Sequence, residues 1–131
     1  MTEDGAHLRE QVLGTEHVIH TSASPLSATA EFVALAEELV WSRTWGREGL
    51  ERAEQSTITI ATLAALGHAH ELRLHICGAI RNGILDADHI GRILLHQLPY
   101  VGFPIASHAL GVLRAVVEES VAAEAEERSE Q

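Results

Sequence analysis

Glycine residues divide much of this sequence into apolar segments of helical length, and that division favours an all-helical fold. The segment at about 51–66 is closed by Gly67, and the segment 69–82 stops at Gly83. Glycine commonly follows the last turn of a helix because it adopts the left-handed conformation without strain. The run 57–67, TITIATLAALG, is apolar on every side, so we expect it to lie in the core. It is far shorter than the roughly 20 residues that span a bilayer.

Two further helices are expected in the first third of the chain. A short one covers about 6–13, and the stretch 20–27, HTSASPLS, is a turn-rich connection in which Ser24 or Ser27 caps the next helix. That helix, 28–43, is expected to be amphipathic, because apolar residues recur along it at helical spacing. They are Phe32, Leu35, Ala36, Leu39 and Val40.

The remaining helices are separated by loop signals. The two glycines of WGREG, 45–49, indicate a loop, and Asp86 or Asp88 is expected to begin the helix that follows Gly83. Proline and glycine then interrupt the chain at Pro99, Gly102 and Pro104. A last helix is expected from about Ile105 into the C-terminal tail. The pattern predicts a compact all-α bundle of about six helices.

Length and composition predict a single domain that associates with itself. A chain of 131 residues fits one domain, 1–131, with its core at 28–117 and an acidic tail at 118–131. The tail carries six glutamates against one arginine, so we expect a solvated helix end that frays. Hydrophobic residues reach 46%, which is more apolar surface than a small monomer buries comfortably. We therefore expect an obligate homo-oligomer.

The net charge argues against two classes of binding partner, and the cysteine content argues against thiol chemistry. A net charge of −10 opposes binding to nucleic acid and to anionic membrane surfaces, so neither partner is expected. Cys77 is the single cysteine, and it has no C-x-x-C partner or base in register, so a small buried role is favoured over thiol chemistry. We expect a cytoplasmic protein, because the N-terminus does not resemble a secretion signal.

The stretch 67–83, GHAHELRLHICGAIRNG, concentrates histidines on one predicted helix. HELRLH resembles a zinc motif, but His70 and His75 are five positions apart and point about 140° away from each other. No metal site is predicted, and a less regular zinc set, such as His68 with His75, is the weaker alternative. On the helical wheel His68, Glu71 and His75 form one line beside an apolar arc. Glu71 is placed to fix the tautomer of His75 and raise its basicity, although an exposed Glu–His pair fits the same spacing.

A second histidine of interest, His96, lies one turn before Pro99. A helix broken at Pro99 and Gly102 often shapes a cavity, while an exposed or interfacial histidine is an equally good interpretation. The motifs of serine hydrolases, P-loops and dinucleotide-binding folds are absent.

The segment 45–110 resembles the carboxymuconolactone decarboxylase family. Its order of motifs is similar: W-x-R-x-G-L, T-I-A-x-L-x-A-L, E-L-x-x-H, A-x-x-N-G, and L-L-H followed by Y-x-G-x-P. The resemblance implies the alkylhydroperoxidase-like fold, a homotrimer or homohexamer, and active sites near subunit interfaces. It also implies decarboxylation of a small acidic lactone without metal or organic cofactor, through a dienolate that is reprotonated. The redox branch of that superfamily has C-x-x-C in the register of His68 and Glu71, so its activity is not expected here.

This resemblance assigns candidate roles to individual residues. Glu71, His75 and His96 are the expected catalytic residues, with the histidines stabilising the enolate and returning the proton. The expected substrate-binding residues are Trp45, Arg47, His68, Arg81 and Tyr100. Of these, Arg47 and Arg81 would orient carboxylates.

Departures from the family pattern leave the substrate open. Family members typically have arginine where this chain has Gln55, which removes a cation before Ser56, and Pro99 and Ser107 are also atypical. A tailoring enzyme of natural-product biosynthesis, acting on a larger and less charged substrate, is therefore an alternative. A non-catalytic oligomeric binding protein is a third.

Overall fold

The computed structural model describes residues 4–15 and 26–131, which are helical with short connections and contain no strand. The all-helical prediction is confirmed for these residues. The chain forms two compact units, Met1–Gln55 and Ser56–Gln131. The expectation of one domain stays a prediction.

The N-terminal unit contains α1, Gly5–Leu13, and α2, Ser27–Ala36, which continues directly as a π-helix, Glu37–Trp45. Its core is formed by buried side chains of α1 and the π-helix: Leu8, Val12, Trp41 and Trp45. The two indole rings lie 5.4 Å apart at an interplanar angle of 33°. The guanidinium of Arg52 lies 5.8 Å from the Trp45 ring centre, a cation–π distance.

Two expectations for this unit are corrected. The helix expected at 28–43 is not one regular α-helix, because its second half has the wider π winding and continues to Trp45. The apolar spacing fits both windings, so the pattern does not distinguish them. Ser27 is the first residue of α2 rather than its cap, which is Leu26 without a side-chain hydrogen bond. Ser24 lies outside the described residues.

Helix α3 spans Arg52–Leu66, and its part from Ser56 onward belongs to the C-terminal unit. This unit contains four further helices. These are α4, Ala69–Arg81; α5, Ala87–His96; α6, Leu98–Val101; and α7, Phe103–Ser129. Helices α4, α5 and α6 pack against α7. The fully buried large side chains of this unit are Ile60, Leu72, Ile76, Ile90 and Leu94.

The apolar run 57–67 is only partly buried, which corrects the expectation of burial on every side. Ile60 and Ala64 are buried, but Ile58 is 52% exposed and Leu66 is 63% exposed. The run thus has an inner and an outer apolar face. Single-sequence hydrophobicity does not separate the two, because both faces carry the same residue types.

The expected helix ends are confirmed at three positions. Gly67 and Gly83 have positive φ angles of 74° and 67°, which is the left-handed conformation that ends α3 and α4. Asp86 caps α5, since its Oδ1 accepts a 2.8 Å hydrogen bond from the His89 backbone N–H. Gly102, with φ of 88°, separates α6 from α7.

The acidic tail is more regular than expected. Helix α7 runs for 27 residues and reaches Ser129, and its last two turns are fully helical and exposed. Alanine and glutamate, which dominate the tail, are strong helix formers. None of the helices in 4–15 and 26–131 has the length and apolarity that a membrane span requires.

The cap at Asp86 leads to a direct test. Asp86→Ala is expected to lower the free energy of unfolding by about 1 kcal/mol, because the His89 N–H loses its acceptor. Urea unfolding followed by circular dichroism measures the change. Asp88→Ala is the matched control, since that exposed carboxylate lies in the first turn of the same helix but does not cap it. Equal losses in both variants would contradict the assignment of the cap.

Candidate active site

The histidine-rich helix α4 presents an apolar face and a polar edge. Leu72, Ile76 and Ala79 are buried on one side, and His75 lies beside them, half-buried, with its Nδ1 atom screened from solvent. Glu71 is exposed one turn earlier on the same helix. A partly screened imidazole with a carboxylate at the i−4 position suits proton transfer or enolate stabilisation.

His68 does not extend the helical line formed by Glu71 and His75. It is the N-cap residue of α4, with φ of −83° and ψ of 76°, and it is exposed. The helical wheel placed it in register with Glu71 and His75, although the expected helix, 69–82, begins one residue after it. Its role in binding substrate stays a prediction.

His96 and Tyr100 form a second polar pair, at the break between α5 and α6. His96 is the last residue of α5, and its ring centre lies 6.1 Å from that of Tyr100, at an angle of 42°. Both side chains are exposed, Tyr100 by 80%. The two residues are four positions apart, and Gln97 separates the end of α5 from the short helix that carries Tyr100.

The predicted carboxylate-binding arginines lie in different surroundings. Arg47 is exposed in the loop after the π-helix of the N-terminal unit. Arg81 is exposed at the end of α4 and lines a cavity of about 240 Å³ between α4 and α7. In that cavity Arg73 forms an ion pair with Glu119. The hydrogen bond to Glu119 raises the pKa of Arg73, so this pair stays ionised wherever Glu119 is a carboxylate.

Trp45 is a core residue of the N-terminal unit. Its side chain is only 7% exposed and packs against Trp41. Its expected contact with substrate is not tested and stays a prediction.

Gln55 occupies the position where the family pattern has an arginine, and Ser56 follows it. The Gln55 side-chain amide donates a 3.0 Å hydrogen bond to the backbone carbonyl of Trp45, so it holds the turn after the π-helix. Ser56 is 1% exposed, and its hydroxyl has no hydrogen-bond partner among the described residues. Sequence reasoning noted Gln55 as a departure but did not identify the buried hydroxyl. The signal was present, because Ser56 is the polar member of a buried stripe with Ile60 and Ala64.

A larger cavity, of about 460 Å³, lies between the α5–α6 region and the first turns of α7. We call it the apolar cavity. Its lining consists of Leu95, Leu98, Phe103, Ala106, Ser107, Leu110, Gly111 and Arg114. The lining contains none of the predicted site residues, although Leu95 and Leu98 flank His96 in the sequence. Sequence reasoning missed it because it forms only where α7 packs against the preceding helices.

Metal ligands are not clustered in the described part of the chain. Within 4–15 and 26–131, no group of three or more His, Cys, Asp or Glu side chains is arranged to hold a metal ion. Cys77 is half-buried and lines the cavity that contains Arg81. The absence of a cofactor stays a prediction.

Comparison with known proteins identifies relatives along most of the chain. A 4-carboxymuconolactone decarboxylase of Acinetobacter baylyi is 31% identical over 117 residues, covering 89% of this chain and 87% of the relative. A nitrosuccinic acid decarboxylase of Metarhizium robertsii is 30% identical over 119 residues, covering 91% of this chain and 82% of that protein. No solved structure gives a significant match.

A model of one protein family also matches the sequence of this chain. It is the carboxymuconolactone decarboxylase family, and the match covers residues 30–115, well over half of the chain. The matched region includes α4 with Glu71 and His75, the break after His96, and Arg81. Together with the two relatives, this match confirms the family resemblance read from the motifs. The chain belongs to the carboxymuconolactone decarboxylase family.

Proposed function

We propose that this protein is a decarboxylase that acts on a small acidic conjugated lactone or oxo acid through an enolate stabilised by histidine. The observation that carries the proposal is the pair of relatives, both named as decarboxylases, that match about nine tenths of the chain. The two are named for different acids. The reaction type is therefore better supported than the substrate.

The acids in the two names make the same chemical demand. When a carboxymuconolactone loses its ring carboxylate as CO2, the electron pair of the broken C–C bond is delocalised into the conjugated lactone carbonyl. When a nitrosuccinate loses the carboxylate next to its nitro group, the pair is delocalised into that group. Both steps need hydrogen-bond donors at the oxygen that gains charge, and a proton for the carbon.

His75 and His96 meet these demands in the proposed mechanism. His75, held by Glu71 at the i−4 position and half-buried, donates a hydrogen bond to the oxygen that gains charge. His96, exposed and next to Tyr100, returns a proton to a carbon that shares the negative charge, which is either end of the conjugated system in a dienolate and the carbon that lost CO2 in the nitro-stabilised anion. Atoms balance, since one carboxylate leaves as CO2 and one proton from the imidazolium enters the product. No redox step is required.

The proposal places the site between subunits of a homotrimer or homohexamer. Several predicted substrate contacts, His68, Arg47 and Tyr100, are exposed in the single chain and would need a neighbouring copy to enclose them. Large exposed apolar residues support such an association, including Phe32 at 70% and Phe103 at 76%. A single 14.2 kDa mass in light scattering would contradict it.

CO2 release from the purified full chain tests the proposed reaction. The protein is expected to release CO2 from 4-carboxymuconolactone, from nitrosuccinate or from both, in a buffer without added metal or cofactor. Release is followed by a coupled CO2 assay, and the product is identified by mass spectrometry. Succinate is the control acid, because it lacks the group that accepts the electron pair. Failure with both activated acids would contradict this substrate class.

One observation favours the alternative of a tailoring enzyme with a larger and less charged substrate. The position of the family's arginine is taken by Gln55, whose amide is hydrogen-bonded to the Trp45 carbonyl. Position 55 therefore supplies no cation that would bind one carboxylate of a substrate that carries several. Turnover of a bulky monoanionic or neutral substrate, with none of the small acids, would support this alternative.

A further inference from the structure

The apolar cavity has the size and lining of a small-molecule site. Its volume of about 460 Å³ falls within the range of roughly 300–1,000 Å³ that is common for ligand pockets. Side chains that line it include Leu95, Leu98, Phe103 and Leu110. Ala106, also in the lining, is buried. A polar lactone with several charges gains little from such a surface, whereas a hydrocarbon body gains free energy with every buried methylene.

One end of the cavity carries a positive charge. Of the described residues that line it, only Arg114 is charged, and Ser107 adds a hydroxyl. The Arg114 Nε lies 3.7 Å from a Glu118 oxygen, and both side chains are largely exposed, so this pair is loose. A ligand carboxylate can therefore replace Glu118 as the partner of Arg114.

The cavity lies next to a predicted catalytic residue along the backbone. His96 directly follows Leu95 and precedes Leu98 by two positions, and both leucines line the cavity. Consecutive Cα atoms are about 3.8 Å apart, so a molecule on the Leu95 side of the cavity lies close to the backbone that carries the imidazole. An arginine retains a carboxylate rather than promoting its departure. The charge at Arg114 thus suits a carboxylate that stays on the molecule.

We propose that the apolar cavity binds the hydrocarbon body of the substrate, and that Arg114 binds one carboxylate that is retained in the product. This inference rests on the proposed decarboxylation reaction, and for the substrate it favours the alternative of a larger and less charged acid over a small lactone. The substrate is an acid with one permanent carboxylate and an extended apolar body, larger and less charged than a carboxymuconolactone. Saturated straight-chain monocarboxylates reproduce the retained part of such a molecule without being able to react.

Titration calorimetry of the full chain with acids from butanoate to decanoate tests the proposal. The affinity is expected to rise about fourfold for each added methylene until the cavity is filled, because each buried methylene contributes a similar amount of transfer free energy. The primary alcohols of the same lengths serve as uncharged controls and are expected to bind more weakly. Equal affinities along the acid series would overturn the proposal.

Two variants separate the charge from the hydrocarbon contact. Arg114→Gln is expected to lower acid affinity about threefold to fivefold, and Glu118→Gln to raise it about twofold, because Glu118 competes for the guanidinium. Arg128→Gln is the matched control, as an exposed arginine on the same helix that does not line the cavity, and it should leave affinity unchanged. Leu110→Trp fills the cavity and should abolish the dependence on chain length.

The possible outcomes distinguish this inference from the function on which it rests. CO2 release from small activated acids without binding of any monocarboxylate would overturn the inference and leave the proposed function standing. Loss of acid binding in Leu110→Trp, with the same oligomeric mass, would support the inference. If no acid binds and Leu110→Glu lowers the mass in light scattering, the cavity is an interface between copies of the chain and the proposal is wrong.

Discussion

Replacement of His75 by alanine is expected to lower the rate of CO2 release by about 100- to 1,000-fold, the usual effect of removing one hydrogen-bond donor to an oxygen that gains negative charge. His75 is half-buried on α4, its Nδ1 is screened from solvent, and Glu71 lies one turn earlier. Removing the imidazole removes the proposed hydrogen bond to the oxygen that gains charge. Steady-state kinetics with the acid that the wild-type protein decarboxylates measures the loss.

His70→Ala is the matched control for this variant. His70 lies on the same helix but is exposed and points away from His75, so we expect wild-type activity. Glu71→Gln should fall between the two, because the amide keeps the size of the side chain at the i−4 position but does not stabilise a positive charge on the ring. The circular dichroism spectrum and oligomeric mass should match the wild type in all three variants. Full activity in His75→Ala and in His96→Ala would show that the assigned site is wrong.

Ile60→Ala is expected to lower the free energy of unfolding by about 2–5 kcal/mol, the range for removing a large aliphatic side chain from a packed core. Ile60 is completely buried on α3 in the C-terminal unit. Its removal leaves a cavity that the surrounding helices do not fill completely. Such a loss is a large share of the total stability of a small domain, and urea unfolding measures it.

Ile58→Ala provides a control of the same residue type on the same helix. Ile58 is 52% exposed, so its truncation should cost less than about 1 kcal/mol in the unfolding of the single chain. Both variants replace isoleucine by alanine in the same helix, so the change in helix propensity is the same. The difference between the two losses therefore measures the effect of burial. A loss for Ile58→Ala as large as that for Ile60→Ala would contradict the inner and outer faces assigned to α3.

The helix ends that rest on local chemistry were predictable from the sequence. Gly67 and Gly83 end their helices in the left-handed conformation, and Asp86 caps α5. Each signal depends on a few neighbouring residues, and distant packing does not change it. The all-helical fold and the family resemblance, which depend on many such signals in order, were predictable for the same reason.

Other features depend on contacts that no local pattern encodes. The π winding of Glu37–Trp45 places Trp41 and Trp45 in the core of the N-terminal unit, but the apolar spacing fits an α-helix equally well. The exposed side of α3 has the same composition as its buried side. The start of α4 at Ala69 agrees with the expected helix, but His68 was placed in the helical line although it precedes that start and has the dihedral angles of a cap residue.

The residues of the candidate site were predictable from the sequence, but the cavities of the fold were not. The sequence identified Glu71, His75 and His96, which are carried by α4 and by the break after α5. It did not indicate the apolar cavity or the role of Arg114, because residues of α7 line the cavity together with Leu95 and Leu98 of the two preceding helices. Such a juxtaposition arises only from helix packing.

Deuterium incorporation during turnover in D2O tests the central claim most directly. The account predicts that decarboxylation of the accepted acid yields one CO2 and one deuterium at a carbon that shared the negative charge of the intermediate anion, as measured by mass spectrometry and NMR. His96→Ala should slow the incorporation together with product formation. A product formed without CO2, or without solvent deuterium at any carbon that shared the charge, would contradict a decarboxylation that proceeds through a reprotonated enolate.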